Sequence, residues 1–253
     1  MTAPYEHTHP RVLVVQHEAE CPPGLWGGWL AECRLKLDVL HPYAGDELPA
    51  GVGHFDGLLV LGGSPGPWED DKYPWLPATR VLLRRGVEDD IPTFGICLGA
   101  ELLIAAFGGR VERRATPQVG IHALEVLPAA AGDPVFADTP DDPPAVLWHQ
   151  EEMTTLPEHA VPLLTGTEAP NQAFRLGRHA WGTQFHPEAD RHIISEWSRD
   201  SALLKRSGKQ PHEVVSQLDD AQADAARAWR PAAHRWAELV RQRHDQRNTV
   251  TAP

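Results

Sequence analysis

The tightest constraint on how this chain folds is a cysteine placed at the seam between two kinds of backbone. Residues 92–106 read Pro-Thr-Phe-Gly-Ile-Cys-Leu-Gly-Ala-Glu-Leu-Leu-Ile-Ala-Ala. An apolar run over 91–96 predicts a strand, and 98–107 predicts a helix with no linker between them. Passing from strand to helix within one residue forces a sharp turn at Cys97. Gly95 and Gly99 flank that turn and permit the close approach it needs. A side chain so placed stands at the carboxyl end of a strand. It also stands at a helix N-terminus, where the dipole favours thiolate over thiol. An isolated cysteine is more often buried core than reactive group, so the rest of the chain has to decide between the two.

Taken in order, the chain alternates strands with helices. Residues 11–16 (Arg-Val-Leu-Val-Val-Gln) form the continuous apolar run expected of a strand covered on both faces. Pro22-Pro23-Gly24 punctuates, 25–33 suits a short helix, and 35–40 and 55–61 are further strands, the last ending in Gly62-Gly63-Ser64-Pro65-Gly66. A helix is expected over 76–87, with Leu82, Leu83 and Val87 toward the sheet, and Gly108-Gly109 stops the helix after Cys97. This order predicts an α/β fold with a doubly wound, mostly parallel central sheet and helices on both faces. Ligands then bind outside the carboxyl ends of the strands.

Shorter alternating runs follow at 110–113, 121–127, 145–149, 161–166, 172–176 and 180–185, predicting a mixed or antiparallel extension of the sheet. The Asp- and Pro-rich residues 133–144 read as a surface loop. From Arg191 the apolar spacing turns helical, through Ile193, Ile194, Trp197 and Leu204 and on to Trp229, Trp236 and Leu239, with Pro231 as a kink or break. The domain expectation is therefore one unit over 1–190, a C-terminal helical extension over 191–245 packed on it, and a disordered tail over 246–253.

Composition excludes several function classes. A net charge of -12 argues against a nucleic-acid groove. Cys21, Cys33 and Cys97 fit neither a disulfide framework nor a zinc signature. No stretch has the length of a membrane span and the first residues lack a signal peptide's pattern, which makes the cytoplasm the expected address. Neither metal nor organic cofactor is implied. The fourteen histidines are scattered, and most are expected at the surface.

A cysteine nucleophile needs a base and a group that orients the base. Residues 180–188, Ala-Trp-Gly-Thr-Gln-Phe-His-Pro-Glu, supply both. In extended backbone His186 and Glu188 point to one side, with Pro187 fixing the chain between them. Acyl transfer also needs donors for the developing oxyanion. The Gly62-Gly63 turn offers one N–H and Leu98, at the start of the helix, a second.

Together these residues resemble the class I (triad) glutamine amidotransferases over roughly 11–188. The parts that carry the likeness are Gly95-Ile-Cys97-Leu-Gly99, Gly62-Gly63 and His186-Pro-Glu188. Tyr73-Pro-Trp-Leu, Val146-Leu-Trp-His-Gln and Asn171-Gln-Ala-Phe-Arg-Leu-Gly are similar to stand-alone members related to the amidotransferase domain of GMP synthase. The resemblance implies cleavage of a glutamine side-chain amide through a cysteine thioester, with Cys97 as nucleophile, His186 as general acid/base and Glu188 as its orienter. The amides of Gly63 and Leu98 would form the oxyanion hole. Gly62, Glu101, Gln118, Gly120 and Ile121 fall where the family gathers substrate contacts. Glu101 is a departure, because the family usually has glutamine there. A carboxylate loses two donors, adds a charge near the sulfur and raises its pKa, which brings γ-glutamyl conjugates into view as substrates. No phosphate-loop motif follows Glu188, so any ammonia acceptor is expected to be a separate protein, such as a synthetase subunit, or there is none. The competing expectations are a stand-alone hydrolase of γ-glutamyl conjugates and a non-catalytic binding or regulatory protein of the same fold.

Overall fold

A computed structural model describes residues 9–199 and 201–251. Its central sheet has eight strands in the order β2-β1-β3-β4-β10-β9-β8-β6. β2 (Lys36–Leu40), β1 (Arg11–Val15), β3 (Gly57–Val60), β4 (Thr93–Ile96) and β10 (Ala180–Thr183) run parallel. β9 (Ala173–Leu176), β8 (Ala160–Thr165) and the two-residue β6 (Glu125–Val126) continue the sheet antiparallel. The expected parallel sheet with an antiparallel extension is therefore present. One part differs: β5 (Arg110–Ala123) and β7 (Pro144–Thr155) pair only with each other, as a separate antiparallel ribbon.

Period-two alternation sends the sheet's side chains to two cores. Val12 and Val14 join one cluster with Trp26 and Leu30 of α1 (Gly24–Glu32) and with Trp229, Trp236 and Val240 of α6 (Pro211–Thr251). Leu13 and Val15 join another with Leu82 and Leu83 of α2 (Leu76–Glu88) and Leu98, Leu102 and Leu103 of α3 (Leu98–Ala106). Both faces are thus covered, which is why the parallel strands read as unbroken apolar runs. A third cluster packs Val119, Val146 and Trp148 of the ribbon against α4 (Arg191–Ser198), α5 (Ala202–Ser207) and the first turns of α6.

The C-terminal part differs most from the sequence expectation. α6 is continuous through Pro231 and reaches Thr251, so helix replaces the tail expected from Gln246; Ala252 and Pro253 lie outside the described residues. It is anchored at the base of the sheet by Asp56, whose carboxylate accepts from His244 Nδ1 at 3.1 Å and Arg247 at 2.9 Å. The 133–144 loop is not merely superficial either. Val135 and Phe136 are buried, and the Asp133 carboxylate accepts from both their N–H groups, from Trp181 Nε1 and from Arg175 Nε. Among the described residues no helix is long and apolar enough to cross a membrane.

Candidate active site

Cys97 is the N-cap of α3 and has φ 49°, ψ -107°, a strained backbone for a residue with a side chain. Its N–H donates to Thr183 O of β10 at 2.7 Å, which ties the turn to the neighbouring strand. The turn closes because α3 lies almost on β3. A methyl group added at Gly99 would sit 2.1 Å from Val60 O, so only glycine admits that approach.

His186 and Glu188 follow the end of β10. The chain there is not extended: Ala189 N–H bonds back to His186 O, so a turn brings the two side chains together. His186 Nδ1 lies 2.7 Å from Glu188 Oε1. Beside a carboxylate, Nδ1 carries the proton and donates, which leaves Nε2 as a bare acceptor. That Nε2 is buried and makes no hydrogen bond in the structure, and neither does Glu188 Oε2. The imidazole and the cysteine flank Gly62. The position a Cβ would take there is 2.9 Å from His186 Cε1 and 3.6 Å from Cys97 Cβ. The three parts of the site, distant in sequence, thus meet at the carboxyl edge of the parallel strands. No Sγ–imidazole hydrogen bond is formed in this state, and such bonds commonly tighten only around substrate.

The sulfur's ionisation differs from the sequence expectation. Burial pushes the Cys97 thiol well above its ordinary pKa, and Glu101, Glu188 and Glu151 push the same way; the Leu98 N–H opposes them. The helix terminus alone does not make a resting thiolate. Glu101 is itself moved up to about 8, chiefly by burial. At neutral pH it is a neutral carboxylic acid, so its repulsion of a thiolate is largely absent there. Like a carboxamide it is then uncharged and both donates and accepts, though with one O–H in place of two N–H donors.

Gln184 is a functional candidate that the sequence reasoning passed over. Its Oε1 accepts from Met153 N–H at 3.2 Å, which fixes the amide's orientation. Its Nε2 then donates to Glu101 Oε1 at 2.8 Å and lies 3.9 Å from Cys97 Sγ. The available signal was spacing, since Gln184 precedes His186 by two residues. Glu18 is another: Oε1 accepts from Ser64 N–H at 3.1 Å and Ser64 Oγ at 3.0 Å, steadying the turn that carries Gly62 and Gly63. Gly63 packs between His17 and Leu98. Burial lowers His17 to about 3, and its Nδ1 accepts from Trp75 Nε1. His17, His149, His186 and His244 are the buried histidines among the described residues.

The remaining expected substrate contacts are less tightly gathered. Gln118 lies opposite His149 on the β5–β7 ribbon, its Nε2 donating to Glu168 and its buried Oε1 unpartnered. Gly120 has φ 110°, and the place of its missing Cβ is 2.6 Å from Lys209 Nζ. Ile121 packs into the third cluster. Gly120 and Ile121 therefore face the C-terminal helices, and among the described residues no hydrogen bond links Gln118, Gly120 or Ile121 to Cys97 or His186.

Known proteins similar to this chain show its family. A sequence model described as glutamine amidotransferase class-I matches residues 30–195. The glutamine amidotransferase-like protein YfeJ of Salmonella typhimurium is 28% identical over 181 residues, covering 70% of this chain and 75% of its own. A glutamine-hydrolysing GMP synthase of Porphyromonas gingivalis is 32% identical over 151 residues, covering 59% of this chain but only 28% of the synthase. Among solved structures, a glutamine amidotransferase of Thermotoga maritima superposes with a TM-score of 0.82 at 25% identity, covering 92% of this chain and 100% of that one. One from Methylobacillus flagellatus gives 0.81 at 27% identity, covering 91% and 95%. With more than half of its length matched, the chain belongs to the class-I glutamine amidotransferase family.

Proposed function

We propose that this protein hydrolyses the side-chain amide of glutamine through a thioester on Cys97. The observation that carries the reading is the convergence of Cys97, His186–Glu188 and the Gly62–Gly63 turn at one sheet edge. Cys97 passes its thiol proton to His186 Nε2 as the sulfur attacks the amide carbon. Because burial disfavours a free thiolate, transfer and attack are coupled. The negative oxygen of the tetrahedral intermediate is held by the N–H groups of Gly63 and Leu98. The imidazolium protonates the departing nitrogen, ammonia leaves, and a γ-glutamyl thioester remains. Water, deprotonated by His186, then adds to the thioester. Glutamate departs as the proton returns to the sulfur. Glu188 holds the imidazole in the tautomer this requires and stabilises its cation. The ammonia passes to a separate acceptor enzyme, as the similarity to one part of GMP synthases suggests.

Glu101 favours a second reading, hydrolysis of γ-glutamyl conjugates. Its carboxyl stands where the family usually presents glutamine, and it is held by Gln184 beside the sulfur. Measuring glutamate release from glutamine and from a panel of γ-glutamyl amines, with Cys97→Ala as control, tests both. Turnover of glutamine that vanishes in Cys97→Ala supports the first reading, and preference for a conjugate supports the second. Turnover of nothing in the panel counts against both.

A further inference from the structure

The mechanism requires His186 to present Nε2 to the sulfur, yet a single hydrogen bond, to Glu188, holds its side chain. Gly62 packs on one side of the ring, and a further contact comes from beyond the matched segment. The indole of Trp197, at the end of α4, stands edge-on to the imidazole, with centroids 4.7 Å apart and planes at 68°. Trp197 packs in turn on Trp148 of β7, with centroids 5.6 Å apart. Its Nε1 donates to Glu20 O at 2.8 Å. That carbonyl belongs to the loop after β1, which is stiffened by bonds from Gln16 Nε2 to Glu18 O and from Cys21 N–H to Glu18 O. The same loop holds Ser64, next to the Gly62–Gly63 turn, through Glu18.

Resting on the assignment of Cys97 and His186 above, we propose that Trp197 is a positioning residue for His186. Its ring blocks rotation of the imidazole away from Cys97, and the loop after β1 keeps that ring in register with the oxyanion turn. One hydrogen bond leaves an imidazole free to swing about the bonded nitrogen. A packed aromatic ring on its flank removes that freedom without engaging either nitrogen. A base held this way is ready before substrate arrives.

The test uses the full chain and Trp197→Phe and Trp197→Leu. Phenylalanine keeps a ring, leucine keeps only bulk, and melting temperatures check that each folds. The probe is iodoacetamide, with alkylation of each cysteine followed by peptide mass as a function of pH. It needs no knowledge of the substrate, so it reads the base's placement even if glutamine hydrolysis fails. Trp197→Leu is expected to slow alkylation of Cys97 about tenfold near neutral pH and to move its pH midpoint upward. Trp197→Phe is expected to stay within about threefold of the parent, with Cys33 unchanged in both. With glutamine turned over, the leucine variant should lose kcat with KM unchanged. Alkylation of Cys97 in Trp197→Leu at the parent rate and midpoint overturns the proposal. So does equal impairment of the two variants: phenylalanine keeps a ring and loses the Nε1 bond to Glu20 O, so the bond and not the ring would then be the operative feature.

Discussion

Burial, more than any neighbouring charge, sets the ionisation of the groups around Cys97. For Glu101 this has a stability consequence with a definite sign. Its folded pKa of about 8 exceeds the ordinary 4.5, so the native chain holds this proton more tightly than the unfolded chain. Stability is therefore lost as pH rises from about 4.5 to about 8, and the loss is complete above that window. Glu101→Gln removes the effect. Its melting temperature should match the parent's near pH 4.5 and exceed it by about 5 °C or more at pH 8.5. A difference that does not grow between those pH values would contradict the assignment. Activity should show the same group: above pH about 8 an ionised Glu101 opposes a thiolate one turn away. The parent's kcat/KM for glutamine should then fall where that of Glu101→Gln does not, which a pH–rate profile reads directly.

The decisive element is the β4–Cys97–α3 turn and its contact with β3. Gly99→Ala places a methyl group against the Val60 carbonyl and forces α3 off the sheet. A loss of about 3 kcal/mol or more in urea unfolding is expected, with activity falling further because Cys97 moves too. This element was fully legible in the sequence, because two glycines around a cysteine between a strand and a helix permit few geometries. His186 and Glu188 were legible as neighbours although the expected backbone was wrong. Extended chain and a tight turn both bring residues two apart together, and Pro187 suits either. The β5–β7 ribbon was not legible. Its residues alternate as sheet strands do, and local pattern does not say which strand is the partner. Gly120 likewise announces an unusual φ but not that Lys209 fills the space beside it.

At the scale of the whole molecule, the C-terminal helices belong to the core as much as the sheet does. Trp236 is fully buried and stands 6.2 Å from Phe94, which also meets Trp26 and Phe136. Trp236→Ala is expected to cost about 3–5 kcal/mol in chemical denaturation, as for any large buried aromatic. A loss below about 1 kcal/mol would mean that α6 is only an appendage. The apolar spacing of α6 was readable, as was its packing on the rest. Its passage through Pro231 was not, since a packed tryptophan on each side outweighs a break that local propensity favours. The proposed chemistry depends on Cys97 acting as a nucleophile served by His186. The most direct measurement is peptide mapping after exposure to a diazoketone analogue of glutamine. One adduct is expected, on Cys97, formed at least tenfold more slowly in His186→Ala. Label distributed equally over Cys21, Cys33 and Cys97, or a rate indifferent to His186, would contradict it.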